Sequence, residues 1–268
     1  MSKTVVVGAS SGLGRCIAIG LAKRGDQVAL LARRRERIEG AAAEAGEGAI
    51  AIECDVTDQA SCHSAINDAA EGLGGIDNLV YTPAIGPLVP LVETDAETWR
   101  RVFDTNVIGA ALVTAAAVPH LTVSGGRAVY LSSPAGTFGP PWPGLAAYGV
   151  SKAALQRLIE SWQAEHPGIG FTCLIAGECA GGEGDAETGF NVGWDRALAA
   201  QFYPRWLSAG CMSANLMPVE DLVQVVHTIL RADAMTSMPV VVARSAPGNP
   251  AEAVGAFGAA HPDILPST

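Results

Sequence analysis

The sequence predicts an α/β fold: one doubly wound parallel sheet of seven strands with helices on both faces, forming a single domain over 1–268. Three observations predict it. Seven short runs rich in Val, Ile, Leu and Ala lack polar alternation, as strands buried on both faces do. Helical patterns separate these runs, and strand, helix, strand repeated in series implies parallel strands joined by crossovers. No Pro/Ser-rich linker or charge block divides the 268 residues, a length ordinary for one α/β unit.

In order, strands are expected at 4–7, 27–32, 49–53, 78–81, 127–131, 170–175 and 239–242. Helices are expected at 13–24, 34–45, 58–71, 95–120, 145–165 and 218–231. Such sheets bind ligands at the carboxyl ends of their strands. One segment breaks the rhythm. Residues 178–217 open with Gly181-Gly182-Glu183-Gly184-Asp185 and carry Trp194, Phe202, Tyr203 and Trp206. A long insertion at the ligand-binding edge reads as a substrate lid. The tail over 244–268, rich in Ala, Pro and Gly, receives no role.

Composition narrows the function. A hydrophobic share of 49 % supports a large core and excludes a disordered chain. The net charge of −10 repels phosphate backbones and anionic headgroups, which argues against nucleic acid or a membrane surface as partner. The most apolar helical stretch, 107–118, is shorter than the roughly 20 residues a bilayer requires. The run from Met1 straight into the first strand carries the expectation of no secretory leader, and the six cysteines show neither CxxC pairs nor metal spacing. The expectation is reduced thiols in a cytoplasmic protein without a metal. The five histidines are scattered and show no ligand spacing.

The first strand runs into Val7-Gly8-Ala9-Ser10-Ser11-Gly12-Leu13-Gly14. Glycines at a strand-to-helix turn let the backbone approach a pyrophosphate, which then meets the N–H groups of the helix N-terminus. Further along, Tyr148 and Lys152 stand four apart on a helical pattern and so share one face. A lysine ammonium beside a phenol favours the phenolate and lowers its pKa.

With its G-x-x-x-G-x-G spacing and the Tyr148/Lys152 pair, the chain resembles the short-chain dehydrogenase/reductase family, in its compact single-domain branch. The resemblance covers roughly 3–176 and implies a Rossmann-like sheet that binds a nicotinamide dinucleotide. It assigns cofactor contacts to Gly8, Ser10, Ser11, Gly12, Leu13 and Gly14. The second strand ends on Ala32, where an NAD site normally has a carboxylate for the ribose 2′-OH. Arg33 and Arg34 follow, and a guanidinium grips a 2′-phosphate with paired donors. The expected cofactor is therefore NADP (NADPH). The resemblance places Asp55 and Val56 against the adenine. Tyr81-Thr82-Pro83-Ala84 departs from the family's Asn-Asn-Ala-Gly, and only Thr82 is carried over as a cofactor contact. Ala176-Gly177-Glu178-Cys179-Ala180 departs from the usual Pro-Gly followed by threonine, leaving the backbone near Cys179 for the carboxamide.

The same resemblance completes a catalytic set of Asn106, Ser133, Tyr148 and Lys152. Ser133, in Ser132-Ser133-Pro134, matches the serine that holds the substrate carbonyl. Asn106, in Asp104-Thr105-Asn106-Val107, matches the asparagine supporting a proton path to the lysine. The implied activity is hydride transfer between NADPH and a carbonyl or hydroxyl group of a small hydrophobic ketone or alcohol, with Tyr148 moving the proton. Trp142, Trp194, Phe202, Tyr203 and Trp206 either line an aromatic pocket with 137–145 and 83–92 or pack only on one another. Two alternatives stay open: a non-catalytic NADP(H)-binding sensor, and an imine or enoyl reductase of the same branch. A homodimer or homotetramer, paired through 95–120 and 145–165, is implied by the resemblance only.

Overall fold

In the computed structural model the described residues are 1–180, 189–213, 215–233 and 235–246. The chain begins with β1 (Lys3–Val7), α1 (Gly12–Ala22), β2 (Gln27–Ala32), α2 (Arg35–Ala45), β3 (Ile50–Glu53), α3 (Gln59–Leu73) and β4 (Asn78–Tyr81). It continues with α4 (Ala96–Phe103), α5 (Gly109–Ser124), β5 (Arg127–Ser132), the short α6 (Pro134–Thr137), α7 (Ala146–Glu165) and β6 (Gly170–Ala176). β7 (Cys179–Ala180), α8 (Arg196–Ser208), β8 (Met217–Pro218), α9 (Val219–Leu230) and β9 (Val240–Ala243) complete it.

Seven of these strands form one parallel sheet in the order β3-β2-β1-β4-β5-β6-β9. β1 lies between β2, where Val5 faces Ala29, and β4, where Val7 faces Tyr81. The strand order reverses between β1 and β4, and a crevice opens there above the carboxyl ends. Alternation along each strand feeds two cores. Val5, Val7 and Tyr81 join one with α3, α5 and α7, while Val6, Leu30 and Val80 join the other with α1, α2 and α9. Fully burying a Val, Leu or Ile side chain contributes roughly 1.5–3 kcal/mol, so these two layers carry most of the fold's stability. Local signals set the helix ends. The Asp58 side chain accepts from Ser61 N at 2.8 Å to start α3, and Gly74, in the left-handed region, ends it.

The structure corrects several expectations. The helix expected over 95–120 is two helices, α4 and α5, joined by one π-helical turn at Asp104–Ile108 and extending to Ser124. The whole run spans 29 residues, long and apolar enough by length and composition alone to cross a bilayer, unlike the 107–118 stretch considered before. Packing accounts for its inner face, because Ala110, Val113, Ala117 and Leu121 lie in the core. The described part of the segment 178–217 contains α8 and a two-stranded ladder pairing Cys179 with Met217. Phe202 and Trp206 centre a third, smaller cluster with Leu88 and Leu145. Gly181–Asp185 and the tail beyond 246 lie outside the described residues.

Candidate active site

One cavity of about 1210 Å³ runs along the carboxyl ends of β2, β1, β4, β5 and β6. That exceeds the 300–1,000 Å³ of ordinary ligand pockets and leaves room for a dinucleotide beside a substrate. At one end it is lined by Ser10, Ser11, Gly12, Leu13, Arg33, Arg34, Asp55 and Val56. At the other it is lined by Ser133, Tyr148, Lys152, Glu178 and Cys179, with Gly8, Gly14 and Thr82 between.

The glycine turn is built for close approach. Gly8 has φ +85, and a Cβ on Gly14 would collide with Thr82 Oγ1 and the Gly8 carbonyl oxygen. α1 starts after Ser11, whose side chain caps no backbone N–H. Arg34 Nη2 reaches across from the start of α2 to Ser10 Oγ at 2.8 Å and Ser11 Oγ at 2.7 Å. Arg33 is exposed beside Asp55. Burial pushes the Asp55 carboxyl up, but two hydrogen bonds from Thr57 and the Arg33 charge outweigh it and hold the pKa below the usual range. Positive charge and hydroxyls at this end, with helix-terminal N–H groups next to them, suit the phosphates of a dinucleotide.

Two carried-over cofactor residues line the cavity with their side chains hydrogen-bonded to backbone carbonyls. Thr82 lines the cavity, but its hydroxyl donates to the Val7 carbonyl at 2.7 Å and wedges β4 against the glycine turn. Cys179 also lines it, with its thiol on the Gly177 carbonyl at 3.5 Å and its pKa raised to about 11 by burial.

At the opposite end of the cavity, β5 delivers Ser133 as the N-cap of α6, and α7 delivers Tyr148 and Lys152 one turn apart. Lys152 is 2 % exposed, donates to the Leu131 carbonyl at 2.7 Å, and lies 5.7 Å from the centre of the Tyr148 ring. Burial lowers its pKa to about 8. Tyr148 behaves differently from the sequence expectation. Burial raises its phenol to about 12, a hydrogen bond with Ser133 pulls it back in part, and the field of Glu178 pushes it up further. Lys152 Nζ is turned to the Leu131 carbonyl.

Asn106 is the one proposed catalytic residue that does not line the cavity. It is fully buried on the π turn, and its amide closes a three-way lock. Oδ1 accepts from Ile85 N at 2.9 Å, while Nδ2 donates to the Ile85 carbonyl at 3.0 Å and to Ser151 Oγ at 2.9 Å. It thereby holds the 83–86 wall against α7. π turns inside α-helices concentrate at functional sites.

The aromatic residues pack on one another and line the cavity as well. Phe190 lies 4.8 Å from Tyr148, Trp194 stands edge-on to Phe190 and Trp206, and Trp142 leans on Trp206. Trp194 Nε1 donates to the Gly86 carbonyl at 2.8 Å and ties this cap to the 83–86 wall. Phe202 stacks beneath Trp206 and does not line the cavity. Sequence reasoning passed over Glu178 and Thr57. A charged residue directly after an apolar strand and its glycine signals the first, and the Asp-x-Thr spacing of a side-chain turn signals the second.

Comparison with known proteins agrees with this geometry. The family model for short chain dehydrogenases matches residues 2–180. An 11-beta-hydroxysteroid dehydrogenase-like protein of Arabidopsis thaliana is 34 % identical over 179 residues, covering 65 % of this chain and 57 % of that protein. The chain spans little more than half the length of such relatives. Among solved structures, an alcohol dehydrogenase from Thermococcus sibiricus complexed with 5-hydroxy-NADP shares the fold at TM-score 0.76 and 23 % identity, covering 93 % of this chain and 98 % of that one. A 3-ketoacyl-(acyl-carrier-protein) reductase from Brucella melitensis complexed with NADH does so at 0.75 and 21 %, covering 91 % and 96 %. With the matched family model, the parallel sheet and the Tyr148/Lys152 pair at the head of its crevice, the chain belongs to the short-chain dehydrogenase/reductase family of oxidoreductases.

Proposed function

We propose that the protein is an NADP-dependent oxidoreductase that interconverts the carbonyl and hydroxyl forms of a small, largely hydrophobic substrate. One observation carries the reading: Ser133, Tyr148 and Lys152 open into the same cavity as the glycine turn and the Arg33–Arg34 pair. When bound, the nicotinamide supplies or accepts the hydride. The chain's residues manage the oxygen and its proton. Ser133 Oγ orients the substrate oxygen against Tyr148. With its phenol held near 12, Tyr148 is a neutral acid at physiological pH and donates its proton to that oxygen during reduction. Lys152 Nζ, held near 8, is a proton reservoir next to it that titrates in the working range. Asn106 positions the wall at Ile85, and the aromatic cap excludes water. Ala32 in place of a carboxylate, followed by Arg33 and Arg34, supports NADP over NAD.

Fluorescence titration with NADPH and with NADH, in the wild type and in Arg33→Ala, tests the cofactor reading. The expected result is a preference for NADPH that collapses towards the NADH value in the variant. Equal or tighter NADH binding by the wild type refutes it. In a screen of aryl ketones, Tyr148→Phe should retain NADPH binding and lose turnover by about 10²–10⁴. Full turnover by that variant refutes the proton role.

A further inference from the structure

Phe190 is a large apolar residue left 46 % exposed, yet its position is fixed from two sides. Its ring centre lies 4.8 Å from that of Tyr148, tilted by 57°, and 5.6 Å from that of Trp194, edge-on at 76°. Aromatic pairs attract one another in such orientations at centre separations of about 4.5–7 Å. The backbone around it is folded by Val192 N, which donates to the Gly189 carbonyl, and by Trp194 N, which donates to the Asn191 carbonyl, both at 3.1 Å. Trp194 Nε1 then ties the segment to the Gly86 carbonyl at 2.8 Å.

Gly86 is what lets the ring sit there. A Cβ on residue 86 would stand 2.2 Å from Phe190 Cζ, 2.7 Å from Phe190 Cε2 and 3.2 Å from Tyr148 Cδ2. Gly86 is not among the glycines with positive φ, so its backbone would accept alanine and the missing side chain serves space alone. Phe190 and the 83–86 wall therefore meet beside Tyr148 and fill that flank. On the other side the cavity continues to Trp142, Tyr203 and Trp206. The space around Tyr148 is unequal.

A carbonyl oxygen within about 2.6–3.2 Å of the Tyr148 hydroxyl brings with it a carbon whose two substituents diverge. One turns to the open side and the other to the Phe190 flank, where it meets rings already in contact. We infer that Phe190, seated on Gly86, limits the substituent on that flank to hydrogen or methyl, so that the substrate is an aldehyde or a methyl ketone, or the matching alcohol, with its larger group on the open side. The inference rests on the oxidoreductase reading above and narrows its substrate class. Phe190 is a specificity-determining residue in this account, since it shapes the space and moves no proton.

Phenyl ketones of increasing alkyl length test it: acetophenone, propiophenone and butyrophenone. With NADPH, wild-type kcat/KM should fall by about tenfold or more from acetophenone to butyrophenone, the scale on which apolar pockets discriminate single methylenes. In Phe190→Ala the ratio of the two should approach unity. Gly86→Ala should flatten the series as well, because its methyl displaces the far end of the Phe190 side chain, and it should add nothing in the Phe190→Ala background. Each ratio compares two substrates on one protein, so loss of folded enzyme does not mimic the effect. A flat wild-type series, or a fall that persists in Phe190→Ala, overturns the inference. A Gly86→Ala effect that is absent, or that survives in Phe190→Ala, overturns the seat on Gly86 and the inference with it. In each of these cases Tyr148-dependent reduction of the ketones leaves the oxidoreductase reading standing. If no ketone is reduced, quenching of tryptophan fluorescence by the same compounds decides. Affinity that falls with alkyl length and recovers in Phe190→Ala keeps the size limit and discards the carbonyl chemistry. Absence of that pattern overturns the size limit as well.

Discussion

Replacing Lys152 by Met should stabilise the fold while destroying the proposed activity. Lys152 is 2 % exposed, and burial lowers its pKa from 10.5 to about 8. A cation whose folded pKa lies below its unfolded value opposes folding while it is protonated in both states. Each pH unit between the two values is worth about 1.4 kcal/mol, so at pH 7 the buried charge costs about 3 kcal/mol. Met removes that cost and also removes the hydrogen bond to the Leu131 carbonyl, worth about 1 kcal/mol. The net expectation is a gain of about 2 kcal/mol at pH 7. The sign with pH follows. Between about 8 and 10.5 the unfolded wild type holds a proton that the folded wild type has lost, so wild-type stability climbs relative to the variant and the gain disappears. Urea midpoints for the two proteins, measured from pH 7 to 10.5, read this directly, and the difference between them cancels the other titrating groups. A variant less stable than wild type at pH 7, or a difference that stays flat across that window, would refute the desolvation argument.

Three further outcomes follow from the geometry. Gly14→Ala drives a methyl group into Thr82 Oγ1 and the Gly8 carbonyl, so nucleotide affinity should fall by at least about tenfold and the melting temperature should drop, by calorimetry, because backbone cannot yield as a side chain can. Asn106→Ala strands the Ile85 N–H and carbonyl together, which should cost about 2–4 kcal/mol in urea unfolding; a loss under about 1 kcal/mol would show that water replaces the lock. Trp206→Ala empties the centre of the small cluster, and hydrogen exchange should quicken across α8 while the β1, β4 and β5 amides keep their protection.

The proposed proton donor and its lysine were legible because helix geometry alone puts Tyr148 and Lys152 on one face. The glycine turn was legible because a strand, three glycines and a helix leave few other conformations. The chemistry around them was not. Whether Lys152 lowers the Tyr148 pKa depends on where the ammonium points, and the Leu131 carbonyl, twenty-one residues upstream, decides that. Thr82 was assigned to the cofactor by its place after β4, yet its hydroxyl is committed to Val7 across the sheet.

By itself the sequence determined the parallel α/β architecture, since seven unalternating apolar runs must be buried on both faces and each crossover must be right-handed. It determined the family and the order of the site residues, because those signals are local: a turn, a helix face, a strand end. Only the tertiary structure decided what each group is to its neighbours. The π turn that swings Asn106 onto Ile85, the burial that moves Lys152 and Tyr148 in opposite directions, and the hydrogen bond that ties Trp194 to Gly86 all depend on contacts between residues distant in sequence. Solvent exclusion and electrostatic fields act through space, and no local spacing encodes them.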